Sequence, residues 1–346
     1  QDVGDVQGEL IFPTGIEFQV RGDWTGVPTA LGPNERRAAY VFVASGNPLQ
    51  SYYQPDSATA TTEQSPGTLG YGYTLTAYPG NVTLYALAGI ETTTTNPAKF
   101  MPYVMGVARG VPIVPKTETT HVDIEMNLLL DHAVKVTPVP PPTTYRGPNR
   151  LETQVAVSLA QGQYGIIPNG DQITLLPTSA TLSFVGLPAL AGSLTGESYA
   201  LSASAATGSN MQAPGSVIAH VLTNDANVPL ALTGFLPVPT LGAPGAGLWD
   251  GKTVSFGETA PIDLALVNVS TGGGLVTWSI VTPGKTSFTV PDLGAIDATL
   301  ALPHGAIGTE VYVARIDGFS YASLRSGQLG PSAWSAYAFD VLAGAY

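Results

Sequence analysis

The stretch YGYTLTAYPGNVTLYALAG, residues 71–89, sets the expectation for the fold. Two runs rich in Tyr, Thr, Val and Leu flank Pro79 and Gly80, and aromatic and β-branched residues favour strands. Proline presets φ at the second position of a turn, and glycine accepts the positive φ that the third position of a type II turn requires. We therefore predict strand, turn and strand here. A weaker copy of this unit, WSIVTPGKTSF, occurs at residues 278–288.

Short runs of strand-forming residues recur along the rest of the chain. They are separated by Gly and Pro, of which the chain has 40 and 29. In GIEFQVRG, residues 15–22, apolar and polar side chains alternate, which is typical of a strand with one buried face. No stretch has convincing helical periodicity. The sequence predicts an all-β fold of tandem antiparallel β-sandwiches, Ig-like or prealbumin-like, with long loops.

The clearest boundary is PVPPPTT at residues 138–144, because successive prolines hold an extended, stiff backbone. Residues 149–346 either divide in two or form one unit. The predicted order is a β-sandwich over 8–137, a proline-rich linker over 138–148, a β-sandwich over 149–236 and an Ig-like β-sandwich over 237–346.

Composition excludes several classes of partner. Only 11% of residues are charged, and 13 basic against 25 acidic residues give a net charge of −12. A surface this poor in Lys and Arg does not neutralise phosphates, so we expect no nucleic-acid partner and no docking on anionic membranes. The chain has no cysteine, and no apolar run reaches the roughly 18 residues of a transmembrane segment. Because it begins at Gln1, we expect a processed product.

The candidate metal ligands His121, Asp123 and Glu125 occur in HVDIEMN, residues 121–127. Along a straight strand, such side chains lie ~7 Å apart on one face, too far for all to bind one ion. The preferred interpretation is the solvated face of a half-buried strand, with Val122, Ile124 and Met126 inward.

Structural calcium is a second possibility, since Asp2, Asp5 and Glu9 lie close together in DVGDVQGE, residues 2–9. The spacing of a calcium loop is absent, so solvated turns are the preferred interpretation. No other cofactor is expected.

Tyr52, Tyr53, Tyr71 and Tyr73 are candidate ligand-binding residues, because exposed aromatic rings in β-sandwiches can stack on sugar rings. Tyrosine is also a normal strand residue, and Trp278 and Trp334 are expected to anchor the last core.

No catalytic residue is predicted, since the motifs of common nucleophiles are missing and the four histidines are scattered along the chain. A hydrolase remains an alternative, because triads assemble in space. Such a site needs a histidine, a hydroxyl and a carboxylate that converge in one pocket.

The segment GYTLTAYPGNVTLYALAG resembles the carboxypeptidase-regulatory-like, prealbumin-type sandwich. Later stretches, among them TLSFVGLPALAGSLTG, TWSIVTPGKTSFTVPDL and WSAYAFD, resemble segments of secreted surface lipoproteins of myxobacterial type. The resemblance implies export, an extracellular or outer-surface position and a noncatalytic module. The lipobox cysteine of a lipoprotein is absent from this chain.

The leading hypothesis is therefore a noncatalytic extracellular or cell-surface protein with a structural or adhesive role, and a self-assembling subunit is one form of that role. Its partners would be copies of itself, another surface protein or a glycan. Exposed strand edges and the alternating segment 9–21 would mediate assembly. The alternative is a carbohydrate-binding protein that uses the loop tyrosines.

Overall fold

The computed structural model describes residues 2–12, 31–53, 60–63, 70–95, 98–141, 146–168, 171–209, 212–224, 229–245, 247–271 and 276–346, with only the backbone described at 60–63, 70, 71 and 332. These parts of the chain are all-β, as the sequence predicts, and most strand pairs are antiparallel. The first nine strands are β1 (Gly4–Ile11), β2 (Glu35–Val43), β3 (Ala60–Glu63), β4 (Gly70–Ala77), β5 (Gly80–Thr92), β6 (Lys99–Ile113), β7 (Glu118–Thr119), β8 (Ile124–Glu125) and β9 (Leu128–Leu129).

The remaining strands follow residue 131. They are β10 (His132–Pro138), β11 (Arg150–Ala160), β12 (Gln163–Gly165), β13 (Asp171–Leu175), β14 (Leu182–Leu187), β15 (Tyr199–Thr207), β16 (Gln212–Thr223), β17 (Leu230–Leu232), β18 (Thr240–Ala243), β19 (Thr253–Gly257), β20 (Leu264–Thr271), β21 (Val276–Thr282), β22 (Ser287–Thr289), β23 (Ala306–Arg315) and β24 (Ala336–Ala345). Single 3-10 turns occur at Gly192–Leu194, Leu293–Ala295, Ala298–Leu300, Tyr321–Ser323, Ser326–Gln328 and Pro331–Ala333.

The first sheet has the order β7-β1-β4-β3-β2-β5-β6-β9, and β8 also pairs with β1. A closing segment, residues 116–130, joins its two ends. It runs parallel to β1 through β7 and β8, then pairs antiparallel with β6 through β9. Further backbone bonds extend from Val122 N to Gln7 O (3.0 Å) and from Leu130 N to Tyr103 O (2.8 Å). Both edges of this sheet are therefore covered by one stretch of chain.

The second sheet has the order β12-β11-β15-β16-β24-β23-β20-β21, with β13 also paired to β11. Every pairing in it is antiparallel. Two three-stranded sheets, β14-β10-β17 and β18-β19-β22, complete the described strands.

One large core is shared between the first sheet and the strands that follow. Tyr40, Leu87 and Met105, from β2, β5 and β6, pack in the same cluster as Val155 and Leu201 of the second sheet. The opposite side of the first sheet has its own core. Because β5 is covered on both faces, nine successive residues of it are buried, and the alternation expected of a one-sided strand disappears.

The strand–turn–strand prediction is correct for the strands, but the strands on the two sides of each Pro-Gly pair do not form a hairpin. β4 ends two residues before Pro79 and β5 begins at Gly80, and the two strands are not neighbours in the sheet. β21 and β22 flank Pro283 and Gly284 and belong to different sheets. The φ angles of the two glycines, +139° and +138°, are far from the +80° of a type II turn. Each Pro-Gly pair is therefore a corner between distant strands.

The predicted domain boundaries remain predictions, but hydrogen bonds cross two of them. β10, at the proposed end of the first sandwich, pairs with β14 and β17. β16 pairs with β24 across residue 236, and Arg146 of the linker contacts Asp340 of β24 (2.8 Å).

The interpretation of DVGDVQGE as solvated turns is wrong, because β1 begins at Gly4 and is paired on both sides. Asp5 accepts a bond from the Thr76 hydroxyl (2.7 Å), and Lys116 lies 3.0 Å from Asp2. Residues 9–11 are likewise in the middle of the protein's own sheet, so they are not available to a neighbour. Residues 13–21 lie outside the described part of the chain.

Candidate functional site

Of the four candidate tyrosines, Tyr52 and Tyr53 line one cleft, whereas Tyr73 lies in a different core. Tyr53 is 73% exposed, at a cleft of about 400 Å³ that Tyr52 and Phe42 also line. The Tyr52 ring lies 5.8 Å from that of Phe42, and its buried hydroxyl has no hydrogen-bond partner among the described residues. Tyr73 belongs to the core of the first sheet, where its hydroxyl donates to the Val122 carbonyl (2.5 Å). The Tyr71 side chain lies outside the described residues.

Burial also determines the protonation state of Tyr52 and Tyr73. It is the first cause that raises the pKa of Tyr52 and Tyr73 well above the ordinary value of 10.0, and the charge of Asp123 adds to the effect at Tyr73. Both hydroxyls are therefore neutral hydrogen-bonding groups at physiological pH.

The candidate metal ligands have the alternation that the polar-face interpretation predicts. His121, Asp123 and Glu125 are exposed, while Ile124 and Met126 are buried. The regular strand is shorter than expected, because only Ile124–Glu125 is paired as a strand and His121 has φ +60°. Asp123 instead accepts a bond from the Glu9 backbone N–H (3.0 Å). Within the described ranges, no three His, Asp or Glu side chains are grouped so that they could hold a metal ion.

A different set of aromatic side chains lies together on the outer face of the second sheet. The alternation of β24 places Ala336 and Ala338 in the core and leaves Tyr337 and Phe339 half-buried on the opposite face. Tyr312 of β23 is the direct cross-strand neighbour of Phe339. The sheet pleat therefore aligns side chains from two strands without any loop.

The rings are in mutual contact. Tyr312 and Phe339 stack with centroids 5.5 Å apart and planes inclined by 17°. Tyr337 lies 6.1 Å from Phe339 and 5.4 Å from Trp334, which forms the floor. Phe339 also lies over Gly215, where an added Cβ would be 2.7 Å from the ring. We call Tyr312, Trp334, Tyr337 and Phe339 the aromatic strip.

The strip ends in a junction groove of about 420 Å³ between the loop at residues 46–49 and the segment 331–337. Tyr164 and His220, with ring centroids 5.8 Å apart, line the groove opposite Trp334. Asn47 and Asp317 add polar groups. The loop is held in place by two backbone bonds between Ser45 and Tyr164, each 2.8 Å. The groove therefore combines apolar rings with a few hydrogen-bonding groups, as small-ligand sites do.

Burial raises the pKa of Tyr164, Tyr312 and Tyr337. The charge of Glu310 adds to the effect at Tyr312, and Tyr312 adds to it at Tyr337. These phenols consequently remain protonated at physiological pH and can both donate and accept hydrogen bonds.

A histidine, a hydroxyl and a carboxylate do line the same groove, at His220, Ser335 and Asp317. Among the described residues no hydrogen bond links them, and the Ser335 hydroxyl donates to the Arg315 carbonyl (3.2 Å). A nucleophile needs its base within hydrogen-bond reach. Asp317 is also the single carboxylate among the described residues lining the groove, whereas most glycosidases use two.

The sequence prediction placed Trp334 in the last core, which is correct, since the residue is 3% exposed. Trp278 is partly buried against the neighbouring core. The prediction missed Tyr312, Tyr337 and Phe339. The available signal was YAF, residues 337–339, because the period of two in a strand places Tyr337 and Phe339 on one face.

No protein-family model matches the chain, and a search of curated proteins found no match either. In the part of the chain that the structure describes, no helix has the length and apolar character needed to cross a bilayer.

Proposed function

We propose that the protein is a noncatalytic adhesion protein of the cell exterior that binds glycan chains along the aromatic strip. The observation that supports this function is the row of contacting rings on the outer sheet face, with centroids 5.4–6.1 Å apart. It leads into a groove that holds Asn47, His220 and Asp317.

The chemistry of the strip suits sugars. A pyranose ring has one face of C–H groups and an edge of hydroxyls. Aromatic faces offer a large apolar contact area, and phenol groups add a polar handle. The half-buried rings of Tyr312, Tyr337 and Phe339 are held by their sheet and by each other, so little side-chain entropy remains to be lost on binding.

The weak surface charge supports the same choice of ligand. With 13 basic residues and a net charge of −12, the chain has little attraction for polyanions. A neutral polysaccharide needs no charge neutralisation, and stacking works on it without regard to ionic strength. An extracellular position would place the strip where such chains occur.

The test is a glycan array with neutral and acidic oligosaccharides, followed by calorimetry on the best neutral ligand. We expect Tyr312→Ala and Tyr337→Ala each to weaken binding roughly 5- to 150-fold, taking as a guide the ~1–3 kcal/mol that an aromatic side chain contributes when a nucleic-acid base stacks on it. Tyr53→Ala is the matched control, because this tyrosine is exposed but lies outside the strip. A wild-type protein that retains no glycan would refute the proposal, as would strip variants that bind normally.

Hydrolysis is the second candidate, because of His220, Ser335 and Asp317 in the groove. Incubation with chromogenic esters and glycosides should release no product from the wild-type protein. Product release that His220→Ala abolishes would show instead that the groove is an active site.

A further inference from the structure

We propose that copies of this chain associate head to tail, with β21 of one copy pairing with β13 of the next. Within the described residues, β21 is hydrogen-bonded as a strand only to β20, and β13 only to β11. The Val281 carbonyl accepts a bond from the Tyr321 hydroxyl (3.4 Å) near one end of β21. Apart from their pairing with β20, residues 276–280 make no backbone bond to any other described residue, so a row of backbone donors and acceptors remains open at this edge.

The directions of the two strands match this pairing. From β13 through β11, β15, β16, β24, β23 and β20 to β21, every successive pair is antiparallel. The path contains an odd number of reversals, so β13 and β21 run in opposite directions. A second copy in the same orientation would therefore continue the antiparallel pattern without inversion.

The side chains at both edges permit approach. Ile173 and Leu175 of β13 are 55% and 72% exposed, and Thr277 and Ser279 of β21 are exposed and uncharged. Neither strand contains Lys or Pro, the residues that most often protect an edge against pairing. Cross-strand neighbours at the new junction would bury the two apolar side chains of β13.

The partner that we propose for each edge is a second copy of this chain. The reason is that β13 and β21 are the two ends of one sheet and run in opposite directions, so β21 of one copy can pair with β13 of the next. Such a junction is heterologous, and it generates an open filament unless the rotation happens to close. Since strand twist rotates each added sheet in the same sense, we expect a twisted filament. Each copy has a net charge of −12, so added salt should strengthen association by screening repulsion.

The test uses edge variants and sedimentation velocity of the full chain, with electron microscopy of the same samples. Ile173→Lys with Leu175→Lys blocks β13, and Thr277→Lys blocks β21. Each variant alone should remain monomeric at concentrations where the wild-type protein forms a concentration-dependent series. Ile296→Lys with Leu300→Lys is the matched control, because these side chains are 80% and 51% exposed and belong to neither β13 nor β21. It should associate like the wild-type protein.

A mixture of the two blocked variants distinguishes the proposed junction from symmetric ones. The variant blocked at β13 still has an open β21, and the variant blocked at β21 still has an open β13. The mixture should therefore form dimers of one copy of each variant and nothing larger. Circular dichroism verifies that each variant is folded. A wild-type protein that stays monomeric at its highest soluble concentration would overturn the proposal. Dimers of either blocked variant alone would do the same. Blocked monomers keep the aromatic strip, so glycan binding is tested independently.

Discussion

The two large sheets differ in whether their edge strands are covered by another strand. In the first, residues 116–130 run along β1 and then along β6, so one segment covers both ends. In the second, β13 and β21 remain without a further strand partner in the described part of the chain. Edge strands invite pairing with other chains. Within the described residues, one segment of chain therefore closes the first sheet, whereas the second sheet keeps the two edges that we propose for contact between copies.

Closure of the first sheet depends on glycines under the closing segment. An added Cβ at Gly106 would lie 2.5 Å from the Glu125 carbonyl oxygen, and one at Gly8 would clash with the Val122 carbonyl. Backbone atoms cannot move aside as the end of a flexible side chain can. Close approach of one backbone to another therefore specifies glycine at these positions.

The largest effect on stability is expected from Gly106→Ala, because the new methyl group would push the closing segment away from β6. We expect a loss of ~3 kcal/mol in the free energy of unfolding, as for other overpacked interiors. Urea denaturation measures it. Gly46→Ala is the control, since no atom lies within 4 Å of its added Cβ, and equal stability of the two variants would contradict the role of closure.

The next effect is expected at the two Pro-Gly corners. Gly80→Ala and Gly284→Ala place a side chain at φ +139° and +138°, in a region that is costly for residues other than glycine. Each should lower stability by ~1–3 kcal/mol, although both sites have open space. Similar losses in both halves would show that the corners are equivalent. A Gly284→Ala variant as stable as the wild type would show that the corner at Gly80 needs glycine and the corner at Gly284 does not.

A smaller, pH-dependent effect is expected at Asp340. Burial outweighs the hydrogen bonds from the Val341 N–H and Arg146 and raises the pKa of Asp340 above its ordinary value of 3.8. The folded protein therefore holds this proton more tightly than the unfolded chain does. The resulting stabilisation is complete below pH 3.8 and is lost as the pH rises through the folded pKa.

Asp340→Asn should remove this dependence. Between pH 3.5 and 7, the wild-type protein should lose stability relative to the variant, measured by urea denaturation at several pH values. The opposite trend would mean that the ion pair with Arg146 dominates over burial.

The smallest effect on folding is expected at the open edge. Leu175→Ser removes a side chain that is 72% exposed, so the free energy of unfolding should change by less than ~0.5 kcal/mol. Self-association should nevertheless weaken in sedimentation experiments. A large loss of stability would show that this edge is part of the folded core after all.

Sequence patterns predict the strands better than their partners. Period-two alternation is visible at residues 121–127 and 336–340, and exposure follows it in both places. In β5, burial of nine successive residues hides the period, because two cores cover the strand. Which strands pair depends on contacts remote in sequence, so a Pro-Gly pair between two strands does not by itself predict a hairpin.

The candidate site was missed for a related reason. The polar loop around Tyr52 and Tyr53 predicts that their rings are exposed. Tyr337 and Phe339 lie in a strand, where aromatic residues usually contribute to a core. Only the pairing of β23 with β24 brings Tyr312 beside Phe339, and that pairing has no local signal.

The core that Tyr40, Leu87 and Met105 share with Val155 and Leu201 has a practical consequence. Cutting the chain in the proline-rich linker, residues 138–148, would expose a large apolar surface on both fragments. Neither fragment should be obtained alone in soluble form, whereas co-expressed fragments should reassemble. We therefore expect that a truncated chain needs both sides of this core to fold.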